Sequence, residues 1–132
     1  MKIEWKLDEE GGIDPIDPVG DISISDGERT IQEEATYLDS WFDALIAVGK
    51  AMKLGNNLAV EIAEEPYSLK LKLVSSGAEI SYKNKTILVN KVDEFIEIIR
   101  QSATCFVLKL NNREEGEICY KCINVDQLQS QN

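Results

Sequence analysis

The chain is expected to fold as an α+β domain: a two-layer sandwich in which two helices pack on one face of a mostly antiparallel sheet of five to seven strands. Three observations predict this. Residues Thr36 to Gly55 place Leu38, Trp41, Phe42, Leu45, Ile46, Gly49 and Met52 at spacings of three and four, the stripe of an amphipathic helix. Val92, Phe95, Ile96, Ile99, Ala103 and Phe106 repeat that period further on. Before and between them lie short segments that alternate apolar and polar residues and are joined by tight turns, the pattern of antiparallel strands. Two helices with apolar stripes need a broad surface to lie on, and one face of a sheet provides it.

Taken in order, Lys2 to Leu7 alternates Ile3, Trp5 and Leu7 against Lys2, Glu4 and Lys6, a half-buried strand. Asp8 to Gly12 breaks it with three carboxylates and two glycines, and Asp14-Pro15 and Asp17-Pro18 keep the chain extended or turned, because a residue before proline is pushed out of helical space. Asp21 to Ser25 alternates through Ile22 and Ile24, and Asp26-Gly27 signals a two-residue hairpin whose return strand covers Glu28 to about Gln32. A rival exists here: Thr30 with Glu33 is also a capping box, which would start a helix near Ile31. The preferred helix start is Thr36, capped with Asp39, and Gly55 ends that helix in the left-handed conformation glycine tolerates. Leu58 to Glu64 is a strand until Glu64-Glu65-Pro66 interrupts it. Tyr67 to Val74 turns Leu69, Leu71 and Leu73 inward and leaves Lys70 and Lys72 on the open face. Glu79 to Tyr82 and Thr86 to Val89 pair across Lys83-Asn84-Lys85. Asn90 caps the second helix with Asp93 at its third position. That helix ends near Ala103 or runs to Leu110; CFVLKL is alternatively a strand facing Glu117 to Val125. The 132 residues are read as one domain, with a core over 1–110 and a C-terminal extension over 111–132 that frays at its end.

Charge is distributed unevenly. The net charge of −10 lies wholly in residues 1–43, where 13 Asp and Glu face three basic residues, Lys2, Lys6 and Arg29; residues 44–132 hold 11 of each sign. Phosphate backbones and anionic membranes reward the opposite sign, so neither nucleic acid nor a membrane surface is an expected partner, whereas a basic protein is. No apolar run approaches the roughly 18 residues of a membrane span, and MKIEWKLDEE carries no apolar signal core, so a cytoplasmic location with three reduced cysteines is expected.

The absence of histidine removes the usual Ser-His-Asp and Cys-His systems and the commonest metal ligand, and no Gly-rich phosphate loop occurs; no catalytic residue and no cofactor are assigned. Cys119 and Cys122 form a CxxC, but they lie in an alternating segment where positions three apart point to opposite faces, and Cys105 is the only further thiol; they are read as ordinary cysteines rather than a zinc or redox site. Asp14, Asp17 and Asp21 lack the spacing of a calcium loop, so no metal is assigned. Glu33, Glu34, Asp39 and Asp43 are the candidate binding residues, forming an acidic ridge with the first loop.

The run Glu33-Glu34-Ala35-Thr36-Tyr37-Leu38-Asp39-Ser40-Trp41, with Glu64-Glu65-Pro66 later, resembles small uncharacterised bacterial proteins, some of which are similar to acidic α+β immunity proteins that neutralise secreted toxins. The resemblance covers about residues 20–106 and brings no functional residues with it. It implies a non-enzymatic protein that binds a basic partner. The alternatives are a self-associating assembly subunit, dimerising through an open strand edge at Glu117–Val125, and a small carboxylate- or metal-dependent enzyme.

Overall fold

The computed structural model describes residues 1–10, 12–14 and 16–113. Seven strands and two helices follow one another as β1 (Lys2–Leu7), β2 (Val19–Ser25), β3 (Thr30–Tyr37), α1 (Leu38–Leu54), β4 (Leu58–Glu61), β5 (Ser68–Val74), β6 (Gly77–Tyr82), β7 (Lys85–Val89) and α2 (Val92–Arg113). The class is α+β, and every strand pairing is antiparallel between sequence neighbours. The strands divide into two sheets, β1-β2-β3 and β4-β5-β6-β7, where the alternation in sequence suggested one.

The division falls between β3 and β7. These strands are neighbours, but side chains from the β2–β3 hairpin take the place of ladder bonds. Asp26 Oδ2 accepts the Leu88 N–H at 2.9 Å, and Arg29 Nη1 donates to the Thr86 carbonyl at 3.5 Å. The same Asp26 closes its own turn, its Oδ1 accepting the N–H groups of Glu28 and Arg29, both at 2.8 Å. Burial raises the Asp26 carboxyl, but the backbone donors of Arg29, Leu88 and Glu28 and the Arg29 charge outweigh it and hold the group below its ordinary value. The Leu88 N–H and the Thr86 carbonyl on the β7 edge are thereby satisfied without ladder bonds to β3.

The hairpin occurs as expected, but its turn residues are Gly27-Glu28, and β3 runs on to Tyr37. Neither capping box operates. Thr30 and Glu33 lie within β3, and α1 begins at Leu38 with Tyr37 at its N-cap and no side-chain cap bond. Thr36 is instead the penultimate residue of a strand. Gly55 does end α1 with φ 76°. Every residue of the expected α1 stripe is buried, and Ala44, Val48 and Ala51 widen it, because α2 packs along α1 while the sheets cover the remainder. Trp5 of β1, Phe42 of α1 and Phe106 of α2 meet at this junction: Trp5 stands edge-on to both phenylalanines, and Phe42 stacks on Phe106 at 4.7 Å. Leu110 extends the α2 stripe beyond Phe106, so this helix passes Ala103 and CFVLKL is helical rather than a strand. Its first backbone bond runs from Phe95 N–H to the Lys91 carbonyl, one residue beyond the expected Asn90 cap. Glu117–Val125 and the CxxC lie outside the described residues.

Candidate functional site

The residues around Thr36 are drawn together by a bulge. Gly20 pairs with Thr36 and Ile22 with Glu33, so β3 carries an extra residue opposite Asp21. Ala35 takes up the surplus with φ 49°, and its N–H is received by Asp21 Oδ1 at 3.0 Å. Without the bulge, the inward alternation through Ile31 and Glu33 would bring Ala35 to the core. With it, Thr36 points inward and is buried. The β2 strand must run close to β1 here, since a Cβ on Gly20 would lie 2.1 Å from the Lys6 carbonyl oxygen.

Thr36 then joins three elements. Its hydroxyl receives the Trp41 Nε1–H of α1 at 3.0 Å and donates to Glu65 Oε2 of the β4–β5 loop at 2.9 Å. That loop is fixed to α1 by the Ala63 N–H, which donates to Ser40 Oγ at 2.8 Å. Trp41 stands edge-on to Tyr82 at 4.8 Å, and Tyr82 in turn to Tyr67 at 5.9 Å. The Tyr82 hydroxyl donates to Glu33 Oε2 at 3.2 Å. Lys83 completes the group, with Nζ 2.8 Å from Glu33 Oε2 and 5.4 and 5.7 Å from the ring centres of Tyr67 and Tyr82. Two carboxylates, two tyrosines and one ammonium therefore share one corner at the junction of the sheets.

The electrostatics follow from that composition. Burial and the charges of Glu33 and Glu65 push the Tyr82 phenol well above its ordinary value, because a phenolate beside two carboxylates is disfavoured. The bond to Glu33 raises Lys83, outweighing the opposing effect of burial. Both groups are thus held in their protonated forms. Among the described residues, Ala35, Glu64 and Lys83 are the non-glycine residues with positive φ, at 49°, 64° and 55°. All three adjoin this corner. Left-handed backbone costs a residue with a Cβ about 1–2 kcal/mol, and such strain gathers where side chains must be aimed.

The four expected ridge residues are not equivalent. Glu33 is half-buried and engaged with Tyr82 and Lys83. Glu34 is exposed on the opposite face of β3, Asp43 is exposed on α1, and Asp39 is buried at 7% exposure, so it does not contribute to a surface ridge. Thr36, Glu65, Tyr67, Tyr82 and Lys83 were not among the expected binding residues. The Glu64-Glu65-Pro66 interruption was the one visible signal for part of this corner. Asp14 and Asp21 have backbone duties: Asp14 Oδ1 accepts the N–H groups of Ile16 and Asp17, and Asp21 holds the bulge. Among the described residues, no group of three or more His, Cys, Asp or Glu side chains is arranged to hold a metal ion.

A second feature lies on the open face of β1-β2-β3. Glu4, Lys6, Asp21, Ser23, Gln32 and Glu34 line a shallow depression of about 390 Å³. Of the thirteen carboxylates in residues 1–43, ten are exposed; Asp26 and Glu33 are half-buried and Asp39 is buried. The negative charge of the N-terminal third therefore faces solvent. Comparison with known protein families, with curated proteins and with solved structures finds no match for this chain.

Proposed function

We propose that the protein is a non-enzymatic binding protein that engages a basic protein partner through the carboxylates of its N-terminal third, in the manner of immunity or inhibitor proteins of bacteria. The exposure of ten of those thirteen carboxylates carries the reading. Three of the exposed acids, Glu4, Asp21 and Glu34, line the depression on the three-stranded sheet, and Asp8, Glu9, Glu10, Asp14 and Asp17 stand in the loop beside it in sequence. A surface of this sign accelerates encounter with a cationic partner and disfavours nucleic acid.

The two helices are taken to lie on one side of both sheets, leaving the opposite faces open for recognition. Contacts of α1 with β2, β4 and β5, and of α2 with β1, support that layering. The reading places the protein in the cytoplasm, where the exposed Cys105 thiol remains reduced. Among the described residues no helix is long and apolar enough to cross a membrane.

The test is capture of partners from the source cells, followed by association kinetics of the recovered partner. A basic partner whose association slows by about tenfold or more between low and high salt supports the reading. The variant Glu4→Gln/Glu34→Gln/Asp43→Asn should slow association further while leaving the fold intact. An acidic partner, or rates indifferent to salt, would refute it.

A further inference from the structure

We propose that Tyr67, Tyr82, Glu33 and Glu65 form a receptor for a lysine or arginine side chain of a basic protein, and that Lys83 occupies it as an internal stand-in; this rests on the reading of a basic partner given above. Two aromatic rings and a carboxylate around one ammonium are the chemistry of cation recognition. Lys83 already displays it, with its nitrogen bound to Glu33 and seated over both rings. The pair does not resemble a buried structural clamp. The Lys83 side chain is 40% exposed and reaches over from a two-residue turn, so its ammonium can leave to water while Glu33, 14% exposed, stays in place. The rim is open too, since Tyr67 remains 46% exposed.

Stoichiometry favours an incoming cation. Glu33 binds Lys83 directly, and Glu65, held by the Thr36 hydroxyl, brings a second carboxylate to the same corner, so two carboxylates share a single ammonium there. Displacing Lys83 would give an arriving cation both carboxylates and the two rings, and would return the Lys83 ammonium to water. On the other side, Tyr82 and Lys83 end a groove of about 750 Å³ between the β2–β3 and β6–β7 hairpins, which Glu28, Arg29 and Lys85 also line. Its three basic side chains outnumber the one acid and disfavour a basic segment there, whereas Tyr67 leaves the other rim exposed.

Butylammonium chloride is the probe, read by NMR at the ring resonances of Tyr67 and Tyr82 against sodium chloride at equal ionic strength. Lys83→Asn removes the internal occupant, and asparagine tolerates the φ of 55° at that position. Expected is a saturable shift at both rings in Lys83→Asn, at least threefold tighter than in the wild type, and lost in Lys83→Asn/Glu33→Gln. Equal affinity in wild type and Lys83→Asn would show that Lys83 does not occupy the receptor. A linear drift in every variant would show that there is no receptor. Either outcome overturns the proposal. Because the probe needs no protein partner, failure here is distinct from failure to capture a basic protein.

Discussion

Asp26 offers the sharpest test of how the two sheets are joined. Its carboxylate accepts three backbone N–H groups: Glu28 and Arg29 within the turn, and Leu88 on the edge of β7. Hydrogen bonds to a charged acceptor contribute about 1.5–3 kcal/mol each, and a half-buried site with shared geometry lies at the low, non-additive end. Asp26→Ala is therefore expected to cost about 2–4 kcal/mol, the sum of the turn and the orphaned edge amide. Asp26→Asn can retain the turn through its carbonyl oxygen but sets an NH2 against the Leu88 N–H, and should cost about 1–3 kcal/mol. The pH dependence identifies the charge as the cause. The folded pKa lies below the ordinary 3.8, so the unfolded chain holds this proton more tightly. The stabilisation is complete above about pH 4 and is lost as pH falls through the folded value. Urea midpoints of wild type and Asp26→Asn should differ at pH 7, and the gap should narrow at pH values below the ordinary 3.8. A gap unchanged between those pH values, or below about 0.5 kcal/mol at pH 7, would show that Asp26 is not what joins β7 to the first hairpin.

Leu45→Ala, at a fully buried position of α1, should lower stability by about 2–5 kcal/mol in urea denaturation; a loss under about 1 kcal/mol would contradict its place in the core. Thr36→Val leaves the buried Trp41 Nε1–H without its acceptor and should cost about 1–3 kcal/mol, with a shift in tryptophan emission that Ser substitution prevents. In an alkaline titration followed by phenolate absorbance, Tyr82 should stay protonated above the ordinary tyrosine value of 10.0. Its stabilising contribution is complete below about pH 10 and lost as pH rises through the folded value. Glu33→Gln should make it ionise earlier, since one of the charges opposing the phenolate is gone.

Periodicity carried much of the fold because burial obeys it: in β1, β5 and both helical stripes the apolar positions are the buried or half-buried ones, where three-four or alternating spacing puts them. It misread the two places where non-local geometry decides. The first is the split between the sheets. Local patterns count strands but do not show that β3 would meet β7 through Asp26 and Arg29 instead of through a ladder. The second is Thr36. A threonine before a helix with an acid three residues on has the local form of a cap, yet the strand continues past it and the hydroxyl turns to Trp41 and Glu65. The bulge at Ala35 is the cause, and its side-chain support comes from Asp21, fourteen residues earlier.

The same bulge explains why the candidate corner was not visible in sequence while one of its carboxylates was. Glu33 stood out as part of an acidic run, but its neighbours Tyr82 and Lys83 lie some fifty positions away, on a hairpin of the other sheet. Charge counting treats Glu33, Glu34, Asp39 and Asp43 alike. Strand alternation, the extra residue in β3 and the burial of α1 then send them to different surroundings: one to an aromatic corner, two to solvent and one to the interior. Recognition of a basic partner would accordingly divide between two regions. Under the proposed function, the solvated acids of the N-terminal third would act at long range and set how fast a partner arrives. The Glu33 corner would act at contact distance, on one ring-flanked cation at a time. Salt should therefore slow arrival strongly, whereas Glu33→Gln should chiefly hasten departure.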